Sequence, residues 1–369
     1  MFRSLCYMID DFLQNKLEER RALNAFRSLR TIQGAVDFCS NDYLGLASTL
    51  KPNAARASEI RHGSTGSRLL SGNYPLIEDA EQIIAAFHDA PSGLLFNSGY
   101  DANIGLLSSV PQRGDTILYD YLSHASIRDG IHLSFAESFS FRHNDLNDLE
   151  EKLRKSKGHK FVVTESVFSM DGDQAPLQEI NQLCNQFGAN LIIDEAHATG
   201  VVGDRGEGLV QSMNLQSHCF TRIHTFGKAL GCHGAIILGS QALRNYLINF
   251  SRPFIYTTAL PESSMEIILT AYSRFPGMVN ERQQLRQLIS QFQQAELAYT
   301  KLKSNTAVQG IIVPGNEEAR LLATLLQSNN LDVRPILYPT VPKKSERLRI
   351  VFHAFNTKDE VNKLIGLLQ

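Results

Sequence analysis

The sequence predicts an α/β protein with a large, mainly parallel sheet, followed by a small α+β region. Two observations carry this. From about residue 46 to 250, strand-length apolar runs alternate with helix-length amphipathic stretches. The polar residues with chemical potential follow those apolar runs directly, and open α/β sheets place their ligands at such strand ends.

Taken in order, the stretch from about Ile9 to Leu29 is charged and helix-permissive, with Leu13, Leu17 and Phe26 available for an apolar stripe. A short strand is expected at Ala35–Phe38, closing an N-terminal segment of residues 1–45. The large α/β domain is expected over 46–260. Its strands are read at Ser92–Asn97, Asp115–Tyr119, Lys160–Thr164, Asn190–Ile193, Arg222–Thr225 and Gly234–Leu238. Helical stretches at Leu76–His88, Leu146–Lys155 and Leu177–Phe187 separate several of them. A polar helical connector is expected over 261–303, then a small α+β domain over 304–369. That last domain reads strand (Val308–Val313), helix (Glu317–Ser328), strand (Asp332–Leu337), strand (Arg347–Phe352) and helix (Lys358–Leu368).

Composition narrows the function. Lys plus Arg is 36 against 38 Asp plus Glu, so no basic excess exists to neutralise a phosphate backbone, and no nucleic-acid partner is expected. Apolar runs are strand-sized, which predicts no membrane span. The N-terminus reaches Asp10 and Asp11 before a signal core forms. The five cysteines are scattered without a C-x-x-C pair, so a reducing, cytoplasmic setting is expected. His218, Cys219, His224, Cys232 and His233 lie close in sequence, yet their spacing matches no zinc pattern and no metal is expected. Neither G-x-G-x-x-G after a first strand nor G-x-x-x-x-G-K-[ST] occurs, which disfavours a dinucleotide enzyme.

Three groups carry chemistry. Leu191-Ile192-Ile193 runs into Asp194, with His197 three residues later. A buried strand-end carboxylate is costly unless it faces a cation, and a protonated pyridine nitrogen is one; His197 would then meet a phenolic oxygen on the ring edge. A strand ending in a polar turn, with a satisfied core histidine, is the plainer alternative. His224-Thr225-Phe226-Gly227-Lys228 places a hydroxyl three residues before a lysine, suiting a phosphate contact beside a Schiff-base amine; a surface lysine on a loop is the alternative. Asn97-Ser98-Gly99-Tyr100 leads a helix, where glycine lets backbone N–H groups approach an anion.

Together with Ser40–Leu46, Gly66–Gly72, Leu122–Ser126 and Thr164–Asp173, these segments resemble the α-oxoamine synthases. Those are pyridoxal-phosphate (PLP) transferases of fold type I that join an amino acid to an acyl thioester. The resemblance runs from about Arg20 to the C-terminus. It implies Lys228 as Schiff-base lysine, Asp194 on the pyridine nitrogen, His197 on the ring hydroxyl, His124 stacked on the ring and Ser169 beside it. It implies Thr225 with the Gly99–Tyr100 backbone on the phosphate, and Thr257 or Thr258 completing that cradle from a neighbouring subunit, hence a homodimer with interface active sites.

Within the family, Tyr338–Pro342 with Arg347-Leu348-Arg349 is closest to the biotin-pathway branch, which condenses L-alanine with pimeloyl-CoA or a pimeloyl-carrier protein. The resemblance then implies Arg27, Asn41, Thr340 and Arg349 as substrate residues, Arg349 by forking onto a carboxylate; a strand arginine with a solvated head is the alternative reading. Sibling branches that use glycine or serine share most of this chemistry. A fold type I aminotransferase and a catalytically silent subunit are the remaining alternatives. The chain departs from the family at Ile77, where relatives usually carry histidine, and in a shortened lead-in before Ser40.

Overall fold

The computed structural model describes residues 11–29, 31, 34–51 and 60–369; Cys6 and Ile9 lie outside the described residues. The chain divides into two compact units. The larger comprises Asn41–Ser169 and Asp173–Leu285; the smaller comprises Met1–Ser40, Met170–Gly172 and Arg286–Gln369.

In the smaller unit the first strand, β1 (Val36–Asp37), follows a helix over Asp11–Ala22. In the larger unit, β2 (Ser92–Phe96), β3 (Thr116–Asp120), β4 (Glu137–Phe141), β5 (Lys160–Glu165), β6 (Ala189–Asp194), β7 (Thr221–Thr225) and β8 (Ala235–Gly239) form one seven-stranded sheet. Their order is β2-β8-β7-β6-β5-β3-β4, and only β8 runs against the others.

The sheet is parallel because its strands are apolar on both faces and helices cover both. Alternate residues divide between two cores. Ile117, Phe161, Val163, Ile192 and Ile223 enter one; Leu118, Val162, Leu191 and Ile193 enter the other. Each buried Leu, Ile, Val or Phe side chain contributes about 1.5–3 kcal/mol. Covering helices begin where the sequence supplies caps. Ser98 accepts from the Asp101 N–H at the start of Gly99–Leu107, Asp145 from Asp148 before Leu146–Lys155, and Ser240 from Leu243 before Gln241–Phe250. The helix Leu177–Phe187 stops at Gly188, whose φ of +60° is left-handed.

Strand β4 was not anticipated. Its sequence, Glu-Ser-Phe-Ser-Phe, sits at the sheet edge with its first three residues exposed, so it lacks the continuous apolar signature of its neighbours. The stretch read as one connector is two helices, Glu262–Arg274 and Val279–Gln294, broken at Phe275-Pro276-Gly277.

The smaller unit carries an antiparallel sheet of β9 (Val308–Ile312), β11 (Arg334–Ile336) and β12 (Arg347–Val351), ordered β11-β12-β9. β10 (Leu331–Asp332) pairs with β1 in parallel. A reciprocal cap between Thr357 and Glu360 starts its last helix, Lys358–Gly366.

Candidate active site

The site of the larger unit is built on the carboxyl ends of adjacent strands. Parallel register sets Glu165 of β5 beside Asp194 of β6, and Asp194 beside Ile223 of β7. Three residues beyond β7 comes Lys228. Its loop is pinned by Phe226, fully buried, whose N–H donates to the Gly234 carbonyl and whose carbonyl accepts from Cys232. The loop closes at Gly231, with φ +62°; a Cβ there would lie 2.2 Å from the Ala47 backbone nitrogen.

The Lys228 Nζ lies 2.8 Å from His197 Nε2. On the other side of that ring, Nδ1 lies 2.6 Å from the hydroxyl of Tyr43, which is wholly buried, and the hydroxyl also reaches Asn41 Oδ1 at 3.2 Å. Asp194 is buried, and its carboxylate accepts from Asn103 Nδ2 at 2.8 Å and the Ala196 N–H at 2.8 Å. His124 caps the helix Ala125–His132, its Nδ1 2.8 Å from Ser126 Oγ, while its N–H donates to Glu165 Oε1 at 2.6 Å.

Electrostatics follow from this crowding. Burial, with the negative charge of Asp194 next, pushes the Glu165 carboxyl up to about 8, so it is mainly protonated at neutral pH. Burial lowers the His124 imidazole; Asp194 opposes that and the Lys228 charge adds to it. Behind Asp194, burial lifts the Glu195 carboxyl to about 7, while its oxygens accept from the Val210 N–H.

The anion end lies at the N-terminus of the helix Gly99–Leu107. First-turn N–H groups have no intrahelical carbonyl, and a Cβ on Gly99 would stand 3.4 Å from Thr225 Oγ1. Backbone donors, the helix dipole and a hydroxyl thus converge there. The Tyr100 ring is turned aside, its hydroxyl donating to Asp129. Thr257 accepts at Oγ1 from Asn97 Nδ2 at 3.1 Å, and Thr258 through its carbonyl at 2.9 Å, both within the same chain. Ser169, half-buried, lies in the turn after β5.

In the smaller unit, Arg27 Nη2 donates to Thr340 Oγ1 at 3.1 Å. Both line a cavity of about 390 Å³ with Arg20, Arg320, Arg334 and Tyr338. Arg349, on β12, stands opposite Arg334 in register and does not line that cavity.

Sequence reading missed Glu165, Asn103 and Tyr43. Glu165 ends an apolar run just as Asp194 does, and that signal was available. Asn103 and Tyr43 reach the site from a helix and a loop, and no local pattern marks them.

The donor set fits PLP. Asp194 is a buried carboxylate whose hydrogen bonds come from neutral donors, and a ring-nitrogen cation would balance it. Lys228 offers an amine for the aldehyde and His197 an imidazole beside it. The Gly99 cradle with Thr225 suits a phosphate.

Comparison with known proteins agrees. The sequence profile of the family "Aminotransferase class I and II" matches residues 33–368. The chain is 41% identical to the 8-amino-7-oxononanoate synthase of Emericella nidulans, covering 96% of this chain and 94% of that protein. Among solved structures, the 8-amino-7-oxononanoate synthase of Francisella tularensis aligns with a TM-score of 0.76 at 29% identity, over 91% of this chain and 97% of that one. The serine palmitoyltransferase of Sphingomonas wittichii gives 0.86 at 27%, over 98% and 96%. A fold shared this fully, with identity over nearly the whole length, places the chain in the aminotransferase class I and II family of PLP-dependent enzymes, among the 8-amino-7-oxononanoate synthases.

Proposed function

We propose that this enzyme condenses L-alanine with a pimeloyl thioester, on CoA or a carrier protein, releasing the thiol and carbon dioxide to give 8-amino-7-oxononanoate in biotin synthesis. The observation that carries this is the Lys228–His197 contact of 2.8 Å beside the buried Asp194, in a chain so similar to the synthase of Emericella nidulans.

Asp194 would hold the ring nitrogen of PLP, His197 its ring hydroxyl, His124 its face with Ser169 nearby, and Thr225 with the Gly99 and Tyr100 N–H groups its phosphate. Bound PLP supplies an electron sink for the charge that develops at the amino acid's α-carbon. Lys228, tethered by its pinned loop, takes the α-proton and later returns one. His124 is held by Ser126 and Glu165, and burial keeps it neutral, so it presents an uncharged imidazole to the substrate carboxylate region. Glu165, mainly protonated, adds no second negative charge beside Asp194. Asn41 would contact the amino acid; Arg27, Thr340 and Arg349 would bind the acyl substrate, with guanidinium groups suited to a terminal carboxylate. Overall, a carbon–carbon bond forms between the α-carbon and the thioester carbonyl, the thiol leaves, and the α-carboxylate departs as carbon dioxide.

The working form in this reading is a homodimer, with Thr257 or Thr258 supplied across its interface to the phosphate. Exposed Leu69, Leu70 and Tyr256 support it, since large uncovered apolar side chains mark association surfaces. Their segments are joined where the Ala259 N–H donates to the Gly66 carbonyl. A cytoplasmic setting is part of the same reading, and the free thiols of Cys39, Cys184, Cys219 and Cys232 suit a reducing compartment.

The test is a thiol-release matrix of alanine, glycine and serine against acetyl, succinyl, pimeloyl and palmitoyl thioesters. Alanine with pimeloyl should dominate. A preference for glycine with acetyl-CoA would replace the substrate assignment, and ketoacid turnover without thiol release would replace the reaction.

A further inference from the structure

Tyr43 occupies a position that the reaction as described leaves unused. It is wholly buried, yet its hydroxyl stands between two partners: His197 Nδ1 at 2.6 Å, which can donate or accept, and the acceptor Asn41 Oδ1 at 3.2 Å. The far side of the same imidazole faces Lys228 Nζ at 2.8 Å. Asn41, Tyr43, His197 and Lys228 therefore form one continuous hydrogen-bonded chain.

Along these contacts two directions are open, because a phenol carries one proton and a neutral imidazole one N–H. In the first, the Lys228 ammonium donates to a bare Nε2, the Nδ1–H donates to Tyr43, and Tyr43 donates to Asn41. In the second, Tyr43 donates to a bare Nδ1, and the Nε2–H points at a neutral Lys228 amine or at whatever acceptor replaces it. The protonation state of Lys228 and the freedom of the Asn41 carbonyl are thus tied together through the rotation of one hydroxyl.

We propose that Tyr43 is a positioning residue that sets the tautomer of His197, coupling the hydrogen bonding of Asn41 to the charge on Lys228. The inference rests on the PLP-enzyme reading for its catalytic meaning. Its structural content, a tautomer selected by a buried phenol, holds for the cofactor-free protein as well. The second direction is the productive one: it would offer an N–H to a ring oxygen of bound PLP and leaves the amine unprotonated. A substrate group that engages Asn41 displaces the Tyr43 proton from it and so favours that direction. Lys228 and Asp194 both act on His124 and on Glu165, so these groups share one electrostatic environment in either direction.

The test uses Tyr43→Phe, which keeps the ring and removes the hydroxyl. The first readout is the side-chain nitrogen spectrum of His197 in cofactor-free protein labelled at histidine. The wild type should convert from the Nδ1–H to the Nε2–H form as Lys228 loses its proton. Tyr43→Phe removes both the acceptor for Nδ1–H and the donor to a bare Nδ1, so that conversion should move to a different pH. The second readout is the rate at which an amine-directed reagent, trinitrobenzenesulfonate, modifies Lys228. Its pH midpoint should move by the equivalent of about fivefold to tenfold in proton affinity, the worth of one hydrogen bond. In the loaded enzyme, kcat should fall by a similar factor with little change in KM for alanine.

Asn41→Leu perturbs the chain from its other end and serves if Tyr43→Phe does not fold. It removes the acceptor that Tyr43 donates to in the first direction, so the Nε2–H form should appear at a lower pH than in the wild type. Unchanged His197 spectra and unchanged Lys228 reactivity in either folded variant would overturn the proposal. A wild-type protein that shows the tautomer conversion but neither binds PLP nor releases thiol would instead overturn the functional reading and leave this one standing.

Discussion

His143 offers a sharp test of the electrostatics around the site. Its Nδ1 donates to Asp120 at 2.9 Å and its Nε2 to Asp173 at 2.8 Å, and Asp120 is wholly buried. Burial works against the charge, but the hydrogen bonds and negative charges of the two carboxylates overcome it and raise the imidazole from 6.5 to about 10. The ring therefore ties the end of β3, four residues before His124, to the loop that follows Ser169. Each tenfold in proton affinity is worth about 1.4 kcal/mol. The full rise would be about 5 kcal/mol, and with a quarter of the side chain exposed, ~3 kcal/mol is the reasonable figure. The folded-state pKa is raised, so this stabilisation is complete below about pH 6.5, declines as pH rises, and is gone above about pH 10. Urea unfolding of the wild type and His143→Gln, at intervals between pH 6 and 10, measures it. The variant should be less stable by ~3 kcal/mol at pH 6, and the gap should close toward pH 10. A constant gap, or none at pH 6, would refute the assignment of a doubly bridged imidazolium.

Lys228→Ala should abolish turnover and remove the visible absorption of the lysine-bound cofactor, read by spectrophotometry of protein reconstituted with PLP. Glu165→Gln keeps an acceptor for the His124 N–H and removes an acid raised from 4.5 to about 8. A raised carboxyl costs stability increasingly as pH climbs through that window, so the variant should gain on the wild type between pH 5 and 8 in thermal melts. A variant that falls behind over the same range would show that Glu165 is ionised. Gly231→Ala drives a Cβ to 2.2 Å from the Ala47 nitrogen at a left-handed φ. It should cost about 2–4 kcal/mol or displace the lysine loop, visible as lower Tm together with weaker PLP binding.

Much of this was legible in the sequence because the large sheet is buried on both faces. Its strands are unbroken apolar runs, and the helix Leu177–Phe187 was read to its terminal residues. Lys228, Asp194, His197 and Thr225 sit at or just beyond the ends of such runs, so local pattern marked them as candidates, and the family resemblance implied their roles. Strand β4 escaped because an edge strand needs apolar residues on fewer faces. The tail strand read as Asp332–Leu337 resolves into β10 and β11, which pair with different partners, a long-range choice that no window of sequence records. Tyr43 and Asn103 escaped for a related reason. Each matters through a partner more than 90 residues away, His197 for one and Asp194 for the other.

The reversed strand β8 bears on how the enzyme handles its amine. Because β7 and β8 are antiparallel neighbours, with Thr225 opposite Ala235, the nine residues between them leave and re-enter the sheet at the same edge. Both ends of that span are nailed to the same rigid floor, and Phe226 is sunk into it. The nitrogen can then travel only as far as four methylenes swing. Reactants must be brought to it, and whatever conformational freedom catalysis needs has to be supplied by the parts that carry them.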